Sequence, residues 1–274
     1  MVQRSFKADF VHLVPILISL LFGVLCAFLL LDSSVGIYNV TPFSEGAVGS
    51  IGNALYFVIL VGVGASLLFF LIKRRSHRLI MFVTGFALTT AVFMLSLFYL
   101  FSAFANSATS SLEGVIVVAA IVITILADIV IFTKRSRVYD IVVLCLGGAL
   151  GTFLGASIPT LSALLILCFL AVYDTFAVYR GPMGKIARSG LDQLRGLSFS
   201  FREIQMGLGD LTFYSMLSGH MLLNFGLISG LAAIIGVLLG CFLAFKMLEK
   251  YGMFPGLPFP IFLGITAGLL VLLL

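Results

Sequence analysis

Nine stretches of roughly 20 apolar residues dominate this chain, each about the length a helix needs to cross a bilayer. They fall at 13–31, 51–72, 79–101, 113–133, 138–156, 159–178, 205–227, 229–248 and 257–274. No polar stretch between them is long enough to build a soluble domain. Residues 1–274 therefore read as a single all-α, polytopic membrane domain. Composition agrees: 61% of residues are hydrophobic and 10% charged, whereas soluble domains carry about 25% charged residues. The first run follows Arg4 and Lys7 but is longer than a signal-peptide core and is read as a retained helix.

The net charge of +5 is explained by topology. Basic residues occupy alternate connections: Arg4 and Lys7; Lys73, Arg74, Arg75 and Arg78; Lys134, Arg135 and Arg137; Arg180, Lys185, Arg188, Arg195 and Arg202; Lys246 and Lys250. The connections 32–50 and 102–112, and the short ones near 157–158 and 228, carry none. The positive-inside rule places the N-terminus in the cytoplasm and, across an odd number of spans, the C-terminus outside. Nucleic acid is excluded as a partner on the same ground. Cys26, Cys145, Cys168 and Cys241 all lie in apolar runs without metal-ligand spacing, so they read as small buried hydrophobes and imply no metal or cofactor. Gly147, Gly151 and Gly155, with the pairs Gly236/Gly240 and Gly264/Gly268, have the four-residue spacing that lets helices approach closely in lipid.

Acids inside a membrane are costly and mark function. Asp128, Asp174 and Asp210 lie within apolar runs. With a rise of about 1.5 Å per residue, all three sit roughly 8 Å inside the cytoplasmic edge of a ~30 Å core. Depth does not choose among them. Asp128 has Lys134 and Arg135 nearby and reads as structural or leaning toward the interface. Asp210 ends the run Gly207-Leu208-Gly209-Asp210, whose glycines would let another helix or a substrate chain come close. Asp174 follows Tyr173. His220 and Asn224, four residues apart, read as interhelical hydrogen-bonding groups.

Tyr173-Asp174 near the end of the sixth run, a basic loop, and GLGDLTFYSML at 207–217 together resemble the presenilin and signal peptide peptidase family of GxGD intramembrane aspartyl proteases. Val172, Ala177-Val178 and Gly181-Pro182 extend the likeness. Pro255-Gly256-Leu257 stands where the family has a PAL motif, with Gly256 in place of its Ala. The orientation is similar to that of presenilin, and the short loop 179–204 to that of a compact archaeal homologue. The resemblance implies Asp174 and Asp210 as catalytic acids. It implies Tyr173, Gly207, Leu208, Gly209, Pro255, Gly256 and Leu257 as residues that bind substrate or shape the site. The implied substrates are transmembrane helices of other membrane proteins, cut in the cell membrane without metal or cofactor. A homo-oligomer is compatible with this, and partner subunits are left open.

Two adjacent carboxylates share one proton, so that one can act as base on a water and the other as acid toward the scissile carbonyl. A helical substrate must unwind, and the proline-bounded Pro255–Pro258 stretch is expected to be extended and to receive it by strand addition. Two rival readings accommodate the acids. One is an ion or proton channel or transporter. The other is a prepilin-type aspartyl peptidase, which shares the GxGD element but has fewer spans.

Overall fold

The computed structural model describes residues 7–33, 36, 39–74, 77–105, 110–133, 137–179, 198–201 and 204–273. The apolar runs become helices: α1 (Val14–Asp32), α2 (Ala47–Lys73), α3 (His77–Phe104), α4 (Ser110–Phe132), α5 (Arg137–Ser157), α6 (Thr160–Tyr179), α7 (Leu208–Phe225), α8 (Leu227–Tyr251) and α9 (Pro258–Leu270). Short 3-10 turns precede α1 at Phe10–Leu13 and follow α9 at Val271–Leu273. Breaks fall where the backbone demands them. Gly226, at φ 89°, is the only residue between α7 and α8. Gly252 caps α8 in the left-handed conformation at φ 73°, which costs a glycine little. Pro258 opens α9, where its missing N–H is no loss.

Among the described residues, seven helices, α1 to α6 and α8, are long and apolar enough to cross a membrane. The other two runs expected to span, at 205–227 and 257–274, give helices that are shorter or more polar. The run at 205–227 is realised as α7, only 18 residues long and carrying Asp210, Thr212, Ser215, Ser218, His220 and Asn224. Protein rather than lipid surrounds it: Thr212, Ser215, Ser218 and His220 are each at most 4% exposed. A helix sheathed by other helices can keep polar groups that a lipid-facing one cannot. The run at 257–274 yields the 13-residue α9.

The glycine spacing produces the expected close approaches. On α5, a Cβ at Gly151 would lie 2.3 Å from the Thr212 carbonyl oxygen of α7, and one at Gly155 2.6 Å from that of Met216. Gly148 meets α1, where a Cβ would lie 2.4 Å from the Ser19 carbonyl oxygen. On α8, Cβ atoms at Gly236 and Gly240 would lie 2.4 Å from α9 backbone atoms. Hydrogen bonds stitch the same seams. Thr152 Oγ1 donates to the Gly23 carbonyl (3.0 Å) and Ser229 Oγ to that of Gly268 (2.8 Å). As expected, His220 bonds between helices, its Nδ1 lying 2.7 Å from the Gly155 carbonyl oxygen. Asn224 instead donates within α7, to the His220 carbonyl (3.0 Å).

α2 is held differently. Its buried residues are Ser50, Asn53 and Ala54, all near its start. There Asn53 bonds both backbone groups of Phe43 and donates to Ser162 Oγ on α6 (3.0 Å), which in turn donates to Ser50 Oγ (3.1 Å). Val40 N–H reaches the Ser157 carbonyl (2.9 Å), so the segment 39–46 closes over the ends of α5 and α6.

Among the described residues the fold departs from all-α at one place. Ser198–Phe201 (β1) and Ile204–Gly207 (β2) form an antiparallel two-stranded sheet in the register Ser198↔Gly207 to Phe201↔Ile204. Residues 205–207, expected to begin the seventh helix, are strand. Phe199 (1% exposed) is buried, as are Ile204 and Met206, and the Tyr139 hydroxyl of α5 holds β1 through the Ser198 carbonyl (2.8 Å). Of the basic connection 179–204, residues 180–197 and 202–203, including Gly181 and Pro182, lie outside the described residues, as do Arg4, Arg75, Lys134 and Arg135.

Candidate active site

Asp174 sits in the last turns of α6, and Asp210 in the first turn of α7, immediately after β2. Gly207 ends β2 and serves as N-cap of α7, with extended backbone at φ −78°, ψ 148°. The strand thus runs straight into the GxGD sequence. Both carboxyls are partly buried and line a single cavity of about 190 Å³. α6 adds Val178 to its wall and β2 adds Ile204, Gln205 and Met206. α8 contributes Cys241, Ala244, Phe245 and Leu248, and the segment after α8 contributes Phe254 and Gly256. The volume is ample for water. The 3-10 turn at the N-terminus buttresses this wall, with the His12 ring edge-on to Phe245 at 6.3 Å and Phe10 stacked on Phe242 at 4.4 Å.

The Pro255-Gly256-Leu257 segment meets both acids. The Leu257 amide donates to Asp174 Oδ2 at 3.0 Å. A Cβ at Gly256 would lie 3.6 Å from the Asp210 carboxyl carbon and 3.6 Å from the Tyr214 hydroxyl. Those are ordinary contacts, so an alanine methyl would fit there. The Tyr214 hydroxyl donates to the Gly256 carbonyl at 2.9 Å. Pro255 and Leu257 are buried. The stretch is not extended throughout. Leu257 already has helical angles (φ −78°, ψ −38°) and Pro258 belongs to α9, so the regular strand beside the acids is β2 rather than Pro255–Pro258.

The flanking glycines do not play one role. A Cβ at Gly209 would meet nothing closer than Phe213 at 3.9 Å, and one at Gly207 nothing closer than Asp210 Oδ2 at 3.8 Å. They leave open space beside the carboxyl, where Gly151 and Gly155 serve tight helix contact. Leu208 is buried in the core. The Tyr173 ring turns toward α2, its hydroxyl 3.5 Å from the Cβ position of Gly62. Asp128 is elsewhere: its Oδ2 accepts from Thr89 Oγ1 at 2.8 Å, joining α3 to α4. Tyr214, Cys241, Met206, Phe245 and Phe254 were not singled out by sequence. Of these, only Tyr214 carried a signal, as part of the GLGDLTFYSML run.

The family model for signal-peptide peptidase and presenilin aspartyl protease matches residues 18–199, a span that includes Asp174 and stops short of Asp210. Two solved structures of a presenilin family intramembrane aspartate protease share the fold. One, in space group C222, is 22% identical with a TM-score of 0.67, covering 96% of this chain and 99% of its own. The other, in P2, is 23% identical with a TM-score of 0.65, covering 95% and 96%. No curated protein matches the chain in sequence. With apolar helices that make it a multi-pass integral membrane protein, and a family match over most of its length, the chain belongs to the signal-peptide peptidase and presenilin family of aspartyl proteases, and is a hydrolase.

Proposed function

We propose that the chain hydrolyses peptide bonds within transmembrane segments of membrane proteins, and that Asp174 and Asp210 activate the water. One observation carries this reading: the two acids, from two successive helices, line one cavity together with Gly256. Of the three intramembrane acids, Asp128 lies outside this cavity, between α3 and α4 where Thr89 bonds it, and takes no part. One carboxylate accepts the water's proton while the other donates to the scissile carbonyl oxygen. The pair acts as a unit, so neither role belongs to one residue.

β2 supports the same reading. It pairs with β1 through one edge, and a strand has a second edge of N–H and C=O groups. A substrate helix that unwinds beside the acids must find partners for its freed backbone, and strand addition along β2 supplies them. Gly207 and Gly209 leave room where that chain would pass Asp210. We further read α1 to α9 as nine crossings of one membrane domain in the cell membrane, with the N-terminus cytoplasmic by the distribution of Lys and Arg. The carboxyls then lie near the cytoplasmic face, within reach of water.

The decisive experiment is cleavage of a single-span test substrate by purified protein in detergent. Asp174→Ala and Asp210→Ala are expected to abolish cleavage, and Asp128→Ala to retain it. Cleavage by either of the first two variants would sink the assignment and bring the channel or transporter reading forward, to be read as ion flux in liposomes.

A further inference from the structure

One peptide group lies between the two acid-bearing helices and is held at both ends. It joins Gly256 to Leu257. Its carbonyl oxygen accepts from the Tyr214 hydroxyl of α7 at 2.9 Å, and its amide donates to Asp174 Oδ2 of α6 at 3.0 Å. A peptide group is planar and rigid, so turning one end turns the other. Tyr214 stands one helical turn after Asp210, is 1% exposed, and lines the cavity with both acids. Its ring is fixed by burial in the α7 core, so its hydroxyl has little freedom of its own.

We propose that Tyr214 is a positioning residue for the proteolytic reaction: through the Gly256–Leu257 peptide it fixes the orientation of the Asp174 carboxyl relative to Asp210. The inference rests on the protease reading of the pair. Asp210 and Tyr214 share one rigid helix, while Asp174 comes from another. The clamped peptide is therefore a direct polar link from the Asp210 helix to the Asp174 carboxylate. Without the hydroxyl, the Gly256 carbonyl loses its donor, the peptide can tilt, and the amide no longer holds Oδ2 in one direction. A misplacement on the order of 1 Å at reacting groups costs about a hundredfold in rate.

The test compares the full chain with Tyr214→Phe, which removes one oxygen and keeps the ring. Active sites are titrated with a hydroxyl-containing aspartyl protease inhibitor, and the single-span substrate is used at several concentrations. The expected result is a kcat per titrated site lowered roughly 10- to 100-fold, with KM changed less than about twofold and thermal stability nearly that of the parent. Deuterium exchange at residues 254–257 should quicken. Replacing Tyr214 by p-aminophenylalanine, which retains a para donor, should restore most of the turnover. Unchanged kcat per site, unchanged exchange, or an equal loss with p-aminophenylalanine would overturn the proposal. Should Tyr214→Phe not fold, the p-aminophenylalanine and O-methyltyrosine variants decide it, since they differ in the donor: equal turnover rejects the clamp. If Asp174→Ala or Asp210→Ala still cleaves, the protease reading has failed. If both are inactive and Tyr214→Phe matches the parent, only the clamp has.

Discussion

α5 and α2 are both glycine-bearing apolar helices, and their surroundings are opposite. Along α5, Cβ atoms at Gly147, Gly148, Gly151 and Gly155 would all come within 2.9 Å of neighbouring helices. Along α2 a Cβ at Gly64 would meet nothing within 4 Å, and one at Gly62 only the Tyr173 ring at 3.5 Å or more. α2 is tight at one end alone, where Asn53 binds Phe43 and Ser162. A glycine's meaning thus depends on what faces it. In α5 it permits contact between backbones, and this seam holds α7, with Asp210, against the core. Beyond the first turns of α2, at Gly62 and Gly64, it permits nothing in particular, while at its start a Cβ on Gly49 would lie 2.1 Å from the Ser44 carbonyl oxygen. α7, with Asp210, is close-packed against α5, whereas α6, with Asp174, packs mainly against α2, whose Ala54, Phe57, Val58 and Val61 meet the core and whose first turns add polar bonds.

The same substitution placed in each region tests this contrast. Gly151→Ala puts a methyl 2.3 Å from the Thr212 carbonyl oxygen and 2.6 Å from Ser215 Cβ. α5 and α7 must separate, and we expect a loss of about 3 kcal/mol or more, at the upper end of overpacking costs, seen as a large drop in thermal midpoint together with loss of cleavage. A midpoint near the parent's would mean the seam is looser than described. Asn53→Ala removes the bonds to Phe43 and Ser162. A destabilisation of roughly 1–2 kcal/mol is expected, with faster deuterium exchange confined to 39–46 and the start of α2. Exchange spreading into α5 or α7 would show that the two regions are not independent. Gly64→Ala should be the mildest, neutral or stabilising by up to about 1 kcal/mol through helix propensity, with cleavage unchanged. A measurable loss of folding there would remove the contrast altogether.

Much of this was legible in the sequence because the bilayer demands it. The nine apolar runs match nine helices among the described residues to within a few positions. The acids stood out because charge inside an apolar run has few explanations. The hairpin was not legible. SFSF and IQMG are four-residue strands, and a short apolar segment beside a helix has no period that distinguishes strand from helix. Ile204 and Met206 simply prolonged the apolar run of α7. The polarity of α7 was visible, but that it is sheathed by protein depends on the whole bundle. The Tyr214–Gly256 bond joins residues 42 apart, and the Asn53–Ser162 bond residues 109 apart. Such partners are set by packing, and no local pattern records them.

The clamp also has a bearing on biosynthesis. Translation proceeds from the N-terminus, so both acids and Tyr214 leave the ribosome before the peptide that links them, which follows Tyr214 by 42 residues. Until that late segment is made and α9 is inserted, a nascent chain carries two carboxyls whose alignment depends on a part not yet present. A protease whose substrates are membrane helices is itself a set of membrane helices. Deferring this piece of the site until after both acids have been made would keep it inert while the spans that carry them are still being threaded into the bilayer.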